Sequence, residues 1–317
     1  MSHLETPRGV YAAVLTPLSA DLEPDVGTFV DHCLWLLANG CDGLAPLGTT
    51  GEANSLSVAQ GKRLIEGLAA SDVPMGRCIV GAGSCALADA VDLTKTVMSA
   101  GCDNVLLLPP FYYKAPSEDG LFAFFSELVE RVGSDRLRLY LYHFPKLSTV
   151  PITVELVRRL RDAYGPVIAG LKDSSGEWTN TLGFIEAFPG FGVFSGSEEF
   201  LLDNLRAGGV GCISASTNVT APLAGALYGV WDSGEAAEVQ RQLTEARLVL
   251  QAYPLQAALK EVLASVTRDR EWLNIVPPNQ PLGREASLGL MDRLGALPQM
   301  KALLSRETWT AAERKSA

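Results

Sequence analysis

Two spacings of apolar residues take turns along this chain. Stretches with apolar positions three and four apart, the mark of amphipathic helices, pass through a glycine turn into short apolar runs without alternation, the mark of strands buried on both faces. The step reads Leu36-Leu37-Ala38-Asn39-Gly40-Cys41-Asp42-Gly43-Leu44-Ala45-Pro46 at its first occurrence. It returns as Val97-Met98-Ser99-Ala100-Gly101-Cys102-Asp103-Asn104-Val105-Leu106-Leu107-Leu108, and again as Leu205-Arg206-Ala207-Gly208-Gly209-Val210-Gly211-Cys212-Ile213-Ser214. Glycine after the last helical turn supplies the left-handed residue that stops a helix and releases the chain into a strand. Steps this short imply parallel strands joined by right-handed crossovers.

The pattern predicts strands near 10–15, 43–47, 77–81, 105–108, 138–142, 167–172, 192–195 and 210–214. Helices are expected near 25–39, 57–70, 86–100, 117–132, 153–164, 177–187, 197–207 and 221–232. Eight alternating units predict an α/β fold, a (β/α)8 TIM barrel, rather than an open doubly wound sheet. No Gly-x-Gly-x-x-Gly marks the first strand-to-helix turn, which speaks against dinucleotide binding. After residue 232 the strand signal ends. Helical stretches are expected near 234–252, 254–267 and 286–305, interrupted by Val276-Pro277-Pro278-Asn279-Gln280-Pro281. Residues 1–233 are therefore expected to form the barrel with the active site, and 234–317 additional C-terminal helices packed on it.

Composition narrows the function. The chain has 317 residues, 47% hydrophobic and 20% charged, enough to bury a large core. A formal net charge of -10 argues against nucleic-acid binding, although a pocket's local field can still hold a small anion. The six cysteines (33, 41, 78, 85, 102 and 212) form no Cys-x-x-Cys pair, which fits buried free thiols in a reducing, cytoplasmic compartment. No basic-then-apolar leader and no long uninterrupted apolar run appears, so no membrane segment is expected. The three histidines (3, 32 and 143) lie far apart, so no metal site is expected.

In a barrel of this kind the working residues lie at the C-terminal ends of the strands. The sixth apolar run, Pro166-Val167-Ile168-Ala169-Gly170-Leu171, stops on Lys172. A lysine where the chain leaves the core loses hydration, and its neutral amine becomes available as a nucleophile. The bland alternative packs its stem on the strand end with its head in water. Gly48-Thr49-Thr50-Gly51, after the second strand, offers consecutive N–H groups and two hydroxyls as a cradle for a carboxylate, or else simply caps a helix. Tyr142 ends an alternating fifth strand; it is either a proton carrier beside Lys172 or a barrel-filling aromatic. Tyr112 and Tyr113 share that ambiguity and could equally cover a subunit interface. Glu198-Glu199, at a helix start, reads best as complementing the helix dipole. A lysine, a tyrosine and an anion cradle at three strand ends together suggest imine chemistry on a 2-oxo acid.

Gly48-Thr49-Thr50-Gly51-Glu52, Tyr142-x-x-Pro145 and Gly170-Leu171-Lys172-Asp173 occur in order and on the expected strands. In these the chain resembles the dihydrodipicolinate synthase / N-acetylneuraminate lyase family of class I, pyruvate-dependent aldolases, from about Gly9 to residue 232. The resemblance implies that Lys172 forms a Schiff base with pyruvate or another 2-oxo acid and that Tyr142 is the general acid/base. It implies that Thr49 relays protons to Tyr142 and that Thr50, with Gly48, binds the carboxylate. Tyr113 is similar in placement to a tyrosine lent across a tight dimer interface, and Ile213 to a residue lining the pocket. Gly196, Ser197 and Glu198 match the region where sialic-acid-type lyases grip a hydroxylated tail. No organic cofactor or metal is implied, and the partners are a small 2-oxo acid, an aldehyde and further copies of the chain, as a tetramer of tight dimers.

One departure bears on the substrate. Dihydrodipicolinate synthases carry an arginine two residues after the proline of Tyr-x-x-Pro, where it binds the second substrate's carboxylate; here that residue is Leu147. Leucine cannot make the bidentate pair of a guanidinium, and Lys146, one step away, is expected to point elsewhere. The reading reached is a Schiff-base lyase or aldolase acting on a sugar-acid-like 2-oxo acid. Its rivals are 4-hydroxy-tetrahydrodipicolinate synthase and a 2-keto-3-deoxy sugar acid dehydratase using the same imine. Outside that class stand a 2-oxo-acid sensor without catalysis, and a phosphate-binding barrel using Ser195-Gly196-Ser197 and Ser214-Ala215-Ser216.

Overall fold

A computed structural model describes residues 6–310. Its strands are β1 (Gly9–Ala12), β2 (Gly43–Leu44), β3 (Val80–Gly81), β4 (Asn104–Leu107), β5 (Arg138–His143), β6 (Ile168–Asp173), β7 (Gly192–Ser195) and β8 (Gly211–Ser214). All pair in parallel in the order β2-β1-β8-β7-β6-β5-β4-β3. A parallel Leu44–Cys78 bridge, with Ile79 N donating to Leu44 O at 2.8 Å and Gly81 N to Pro46 O at 2.9 Å, closes β2 on β3 into a barrel. After each strand comes a helix: α1 (Val26–Ala38), α2 (Val58–Ala69), α3 (Leu87–Ser99), α4 (Glu118–Val132), α5 (Val154–Tyr164), α6 (Trp178–Ala187), α7 (Leu201–Arg206) and α8 (Thr217–Val230). The expected (β/α)8 barrel is the fold found. No described helix is long and apolar enough to cross a membrane.

Alternation along each strand divides the core. On β5, Leu139 and Leu141 join the layer between barrel and helices, while Tyr140 and Tyr142 fill the interior with Phe194 and Ile213. On β6, Leu171 faces the helices and Lys172, in register with Tyr142, faces in. Gly170 lies one rung below, beside Tyr140. A Cβ there would stand 2.4 Å from both Gly192 O and Tyr140 Cε1, so the ring occupies the space a side chain would need.

Several boundaries differ from the sequence pattern for local reasons. The eighth helix starts at Thr217, not 221: Val219 N and Thr220 N already bond Ser216 O, at 2.8 and 2.9 Å, so Pro222 removes one donor without stopping the helix. After α9 (Ala236–Gln251) and α10 (Leu255–Thr267), the single expected helix at 286–305 is two, α11 (Arg284–Gly295) and α12 (Pro298–Leu303), because Pro298 forces Leu297 out of helical geometry. A short α13 (Arg306–Thr310) follows. Its Trp309 ring stacks on Trp35 of α1, centroids 3.7 Å apart, tying this end of the chain to the barrel's first helix. Five of the six cysteines are buried free thiols; Cys85 is exposed.

Beneath this aromatic seam His32 is buried, its Nε2–H donating to Asn218 Oδ1 at 2.9 Å. The same oxygen accepts Leu15 N at 3.0 Å, which fixes the donor role on the histidine. Burial lowers the His32 pKa from 6.5 to about 4, against the Asn218 hydrogen bond. The unfolded chain therefore binds a proton in that window that the native chain refuses. Stability is present above pH 6.5 and is lost as pH falls toward 4, by about 3 kcal/mol in all. Thermal unfolding from pH 7 to 4 should show that slope, and His32→Gln should flatten it; parallel declines in both proteins would place the slope elsewhere.

Candidate active site

Parallel pairing sets Tyr142 and Lys172 side by side at the top of β5 and β6. Lys172 is 3% exposed, and its Nζ lies 4.3 Å from the centroid of the Tyr142 ring. The Tyr142 hydroxyl points out of the interior and meets Thr49 Oγ1 at 3.4 Å. Tyr142 is thus a filler of the barrel along its body and a hydrogen-bonding group at its tip.

Thr49 and Thr50 do not cap the following helix. That task falls to Ser57, whose side chain accepts Gln60 N while Gln60 Oε1 accepts Ser57 N at 2.8 Å. The threonine loop is held from outside itself. Thr16 Oγ1 donates to Gly51 O at 2.7 Å, and Glu52, left-handed at φ 58°, turns its carboxylate inward to Lys260 of α10. Lys260 Nζ also donates to Asn274 O at 2.7 Å, and Glu52 Oε2 accepts Val276 N at 2.8 Å. Burial pushes the Lys260 ammonium down and Glu52 opposes it. The cradle thus rests on a buried ion pair anchored in the C-terminal helices.

A cavity of about 450 Å³ opens above Lys172. Thr49, Thr50, Tyr142, Lys172, Gly196 and Ser197 line it, so six of the ten candidates share one space. Gly196 is required there: its N donates to Asp173 O at 2.6 Å, and a Cβ would stand 2.2 Å from Ser174 Oγ. Asp173 is held by Ser175 N at 2.9 Å and Thr181 Oγ1 at 2.6 Å. Behind it His143 accepts Ile152 N on Nδ1 at 2.9 Å, and burial lowers its pKa despite Asp173.

Four candidates are placed differently. Gly48 borders a small recess beside the cavity, shared with Thr49 and Tyr142. Ile213 is fully buried in the interior cluster with Tyr142 and Phe194 and does not line the cavity. Glu198, in the first turn of a 3₁₀ helix (Glu198–Phe200), is fully buried: it accepts Ser214 Oγ and Thr220 Oγ1, lies 3.6 Å from Arg247 and does not line the cavity. Glu199 lines the cavity instead. Tyr113 is 79% exposed and packs edge-on against Tyr112, away from its own chain's cavity.

Lys146 corrects a further expectation. Pro145 begins a helical turn (Pro145–Ser148) that carries both Lys146 and Leu147 to the cavity, with Lys146 Nζ against Gly176. The C-terminal helices contribute as well. Arg247 and Gln251 of α9, and Leu255 and Gln256 of α10, line the same cavity. Helix periodicity shows which face of α9 is apolar, not which end of the barrel it crosses, so no local pattern marks these four residues.

A (β/α)8 barrel with a buried lysine, a tyrosine and a threonine hydroxyl meeting at its C-terminal mouth is the architecture of class I lyases and aldolases, which bind pyruvate through a lysine Schiff base. The chain belongs to the Dihydrodipicolinate synthetase family, matched over residues 6–296, and is an enzyme of that lyase class. An uncharacterized DapA-like lyase of Chloroflexus aurantiacus is 34% identical over 88% of this chain and 93% of its own length. The 4-hydroxy-tetrahydrodipicolinate synthase of Methanopyrus kandleri is 32% identical over 92% and 97%. The crystal structure of dihydrodipicolinate synthase from Agrobacterium tumefaciens superposes with a TM-score of 0.85 at 28% identity, covering 92% of this chain and 99% of that one. YagE of E. coli, solved in complex with pyruvate, superposes at 0.83 with 26% identity, covering 93% and 98%.

Proposed function

We propose that the protein cleaves or forms a carbon–carbon bond between pyruvate and a hydroxylated aldehyde, with Lys172 as the imine-forming nucleophile. The observation that carries this is the contact of Lys172 Nζ with the Tyr142 ring, while the Tyr142 hydroxyl meets Thr49 at the floor of one cavity. The amine adds to C2 of a 2-oxo acid and water leaves, giving a protonated imine. Thr50 and the neighbouring backbone amides hold the carboxylate. In cleavage Tyr142 takes the proton of the C4 hydroxyl, the C3–C4 bond breaks, and its electron pair moves into the imine. Thr49 passes the proton onward; the enamine is reprotonated at C3 and hydrolysed to pyruvate. The lysine supplies the electron sink, so the chemistry needs no metal or organic cofactor.

A second reading, condensation of pyruvate with aspartate semialdehyde, draws on Lys146 at the cavity and on the synthases among the relatives. Leu147 weighs against it. We place the chain in the cytoplasm on its buried free thiols. We also place it in a homo-oligomer, a tetramer of tight dimers: Tyr112 and Tyr113, both exposed, offer an aromatic face for a second copy. A monomer in light scattering would count against that assembly.

Borohydride added with pyruvate should leave a reduced adduct on the peptide containing Lys172. Mass mapping that finds Lys172 unmodified would falsify the imine mechanism.

A further inference from the structure

The cavity holds far more than pyruvate fills, and its outer wall is built by a part of the chain outside the eight strands. Arg247 projects from α9 into that wall with 11% of its side chain exposed. Its donors are largely engaged: Nη1 donates to Ser216 Oγ at 2.7 Å and Nε to Gln251 Oε1 at 3.1 Å. Glu198, 3.6 Å away and fully buried, supplies its counter-charge. Among the described residues Nη2 has no hydrogen-bond partner. A guanidinium fixed in this way cannot turn its fork onto a carboxylate; it presents one donor nitrogen from a set position. Glu199 lines the same cavity as an acceptor, with Ser197 Oγ 3.3 Å from its Oε2. Around this wall the cations Arg247 and Lys146 are matched by the carboxylates Glu198 and Glu199. Such a surface pairs donors and acceptors without net charge, which suits hydroxyl groups and disfavours an anion set beside Glu199.

We infer that Arg247 is a specificity-determining residue, donating through Nη2 to a hydroxyl oxygen on the far end of an uncharged, polyhydroxylated aldehyde. This rests on the imine reading of the cavity and names the class of the second substrate. Glu198 is a positioning residue, holding the guanidinium while remaining out of the substrate's reach.

The test compares kcat/KM for pyruvate addition to D-erythrose, to butanal, which lacks the tail hydroxyls, and to succinic semialdehyde, which ends in a carboxylate. The wild type should prefer D-erythrose to both. In Arg247→Met the D-erythrose/butanal ratio should fall about tenfold or more, the scale of one charged hydrogen bond. Glu198→Gln/Arg247→Met removes both charges and repeats the measurement should the single variant not fold. An unchanged ratio overturns the assignment. So does a wild-type preference for succinic semialdehyde, which is read without any variant. Borohydride trapping of pyruvate on the wild type separates the two failures: no adduct sinks the imine itself, whereas an adduct with an unchanged ratio sinks only the role of Arg247.

Discussion

Lys172→Met should lose turnover by on the order of 10⁴-fold or more, the scale on which removing a covalent nucleophile is felt. Methionine keeps the length and apolar stem of lysine and deletes only the amine. Among the described residues Lys172 forms no salt bridge; its contact is the Tyr142 ring. The variant should therefore fold with stability close to that of the wild type, so lost turnover cannot be ascribed to unfolding. It should also give no borohydride adduct with pyruvate. Turnover and adduct mass together discriminate the two roles open to this lysine. With Tm unchanged in either case, a packing lysine would leave turnover and an adduct on another residue, whereas a nucleophile would lose both. Retained turnover with an adduct on another lysine would remove Lys172 from the mechanism.

What could be seen beforehand was what is written locally. A strand that ends in the barrel interior shows itself in a few residues, so the positions of Lys172 and Tyr142 followed from a run of apolar residues and a turn. The threonine loop was visible for the same reason. Residues placed by a turn's geometry were not. Glu198 and Glu199 are neighbours on one 3₁₀ turn, yet one is drawn into a buried network with Ser214 and Thr220 and the other is left at the cavity. Lys146 reaches the cavity because Pro145 starts a helical turn that rotates the chain there. Arg247 and Gln256 were the least visible, because their place depends on how the last helices cross the mouth of the barrel. Nothing in a helix's own periodicity carries that information.

The same crossing makes Lys260→Met the substitution with the largest expected cost in stability. It strips the counter-charge from Glu52 in a site where both side chains are almost wholly hidden from water, at 1% and 0% exposure. Breaking a buried pair by removing one partner costs about 3–5 kcal/mol, because the remaining charge is left unsolvated. Glu52→Gln/Lys260→Met removes both charges and should recover part of that loss, a coupling that urea unfolding of the two single variants and the double would measure. Strict additivity would show that the two groups do not depend on each other. The consequence reaches the chemistry because Glu52 directly follows Gly51, and the loop ahead of it carries Thr49 and Thr50. If the pair fixes that loop, Lys260→Met should raise KM for pyruvate more than it lowers kcat. An unchanged KM in the folded fraction would confine the pair to holding the C-terminal helices on the barrel.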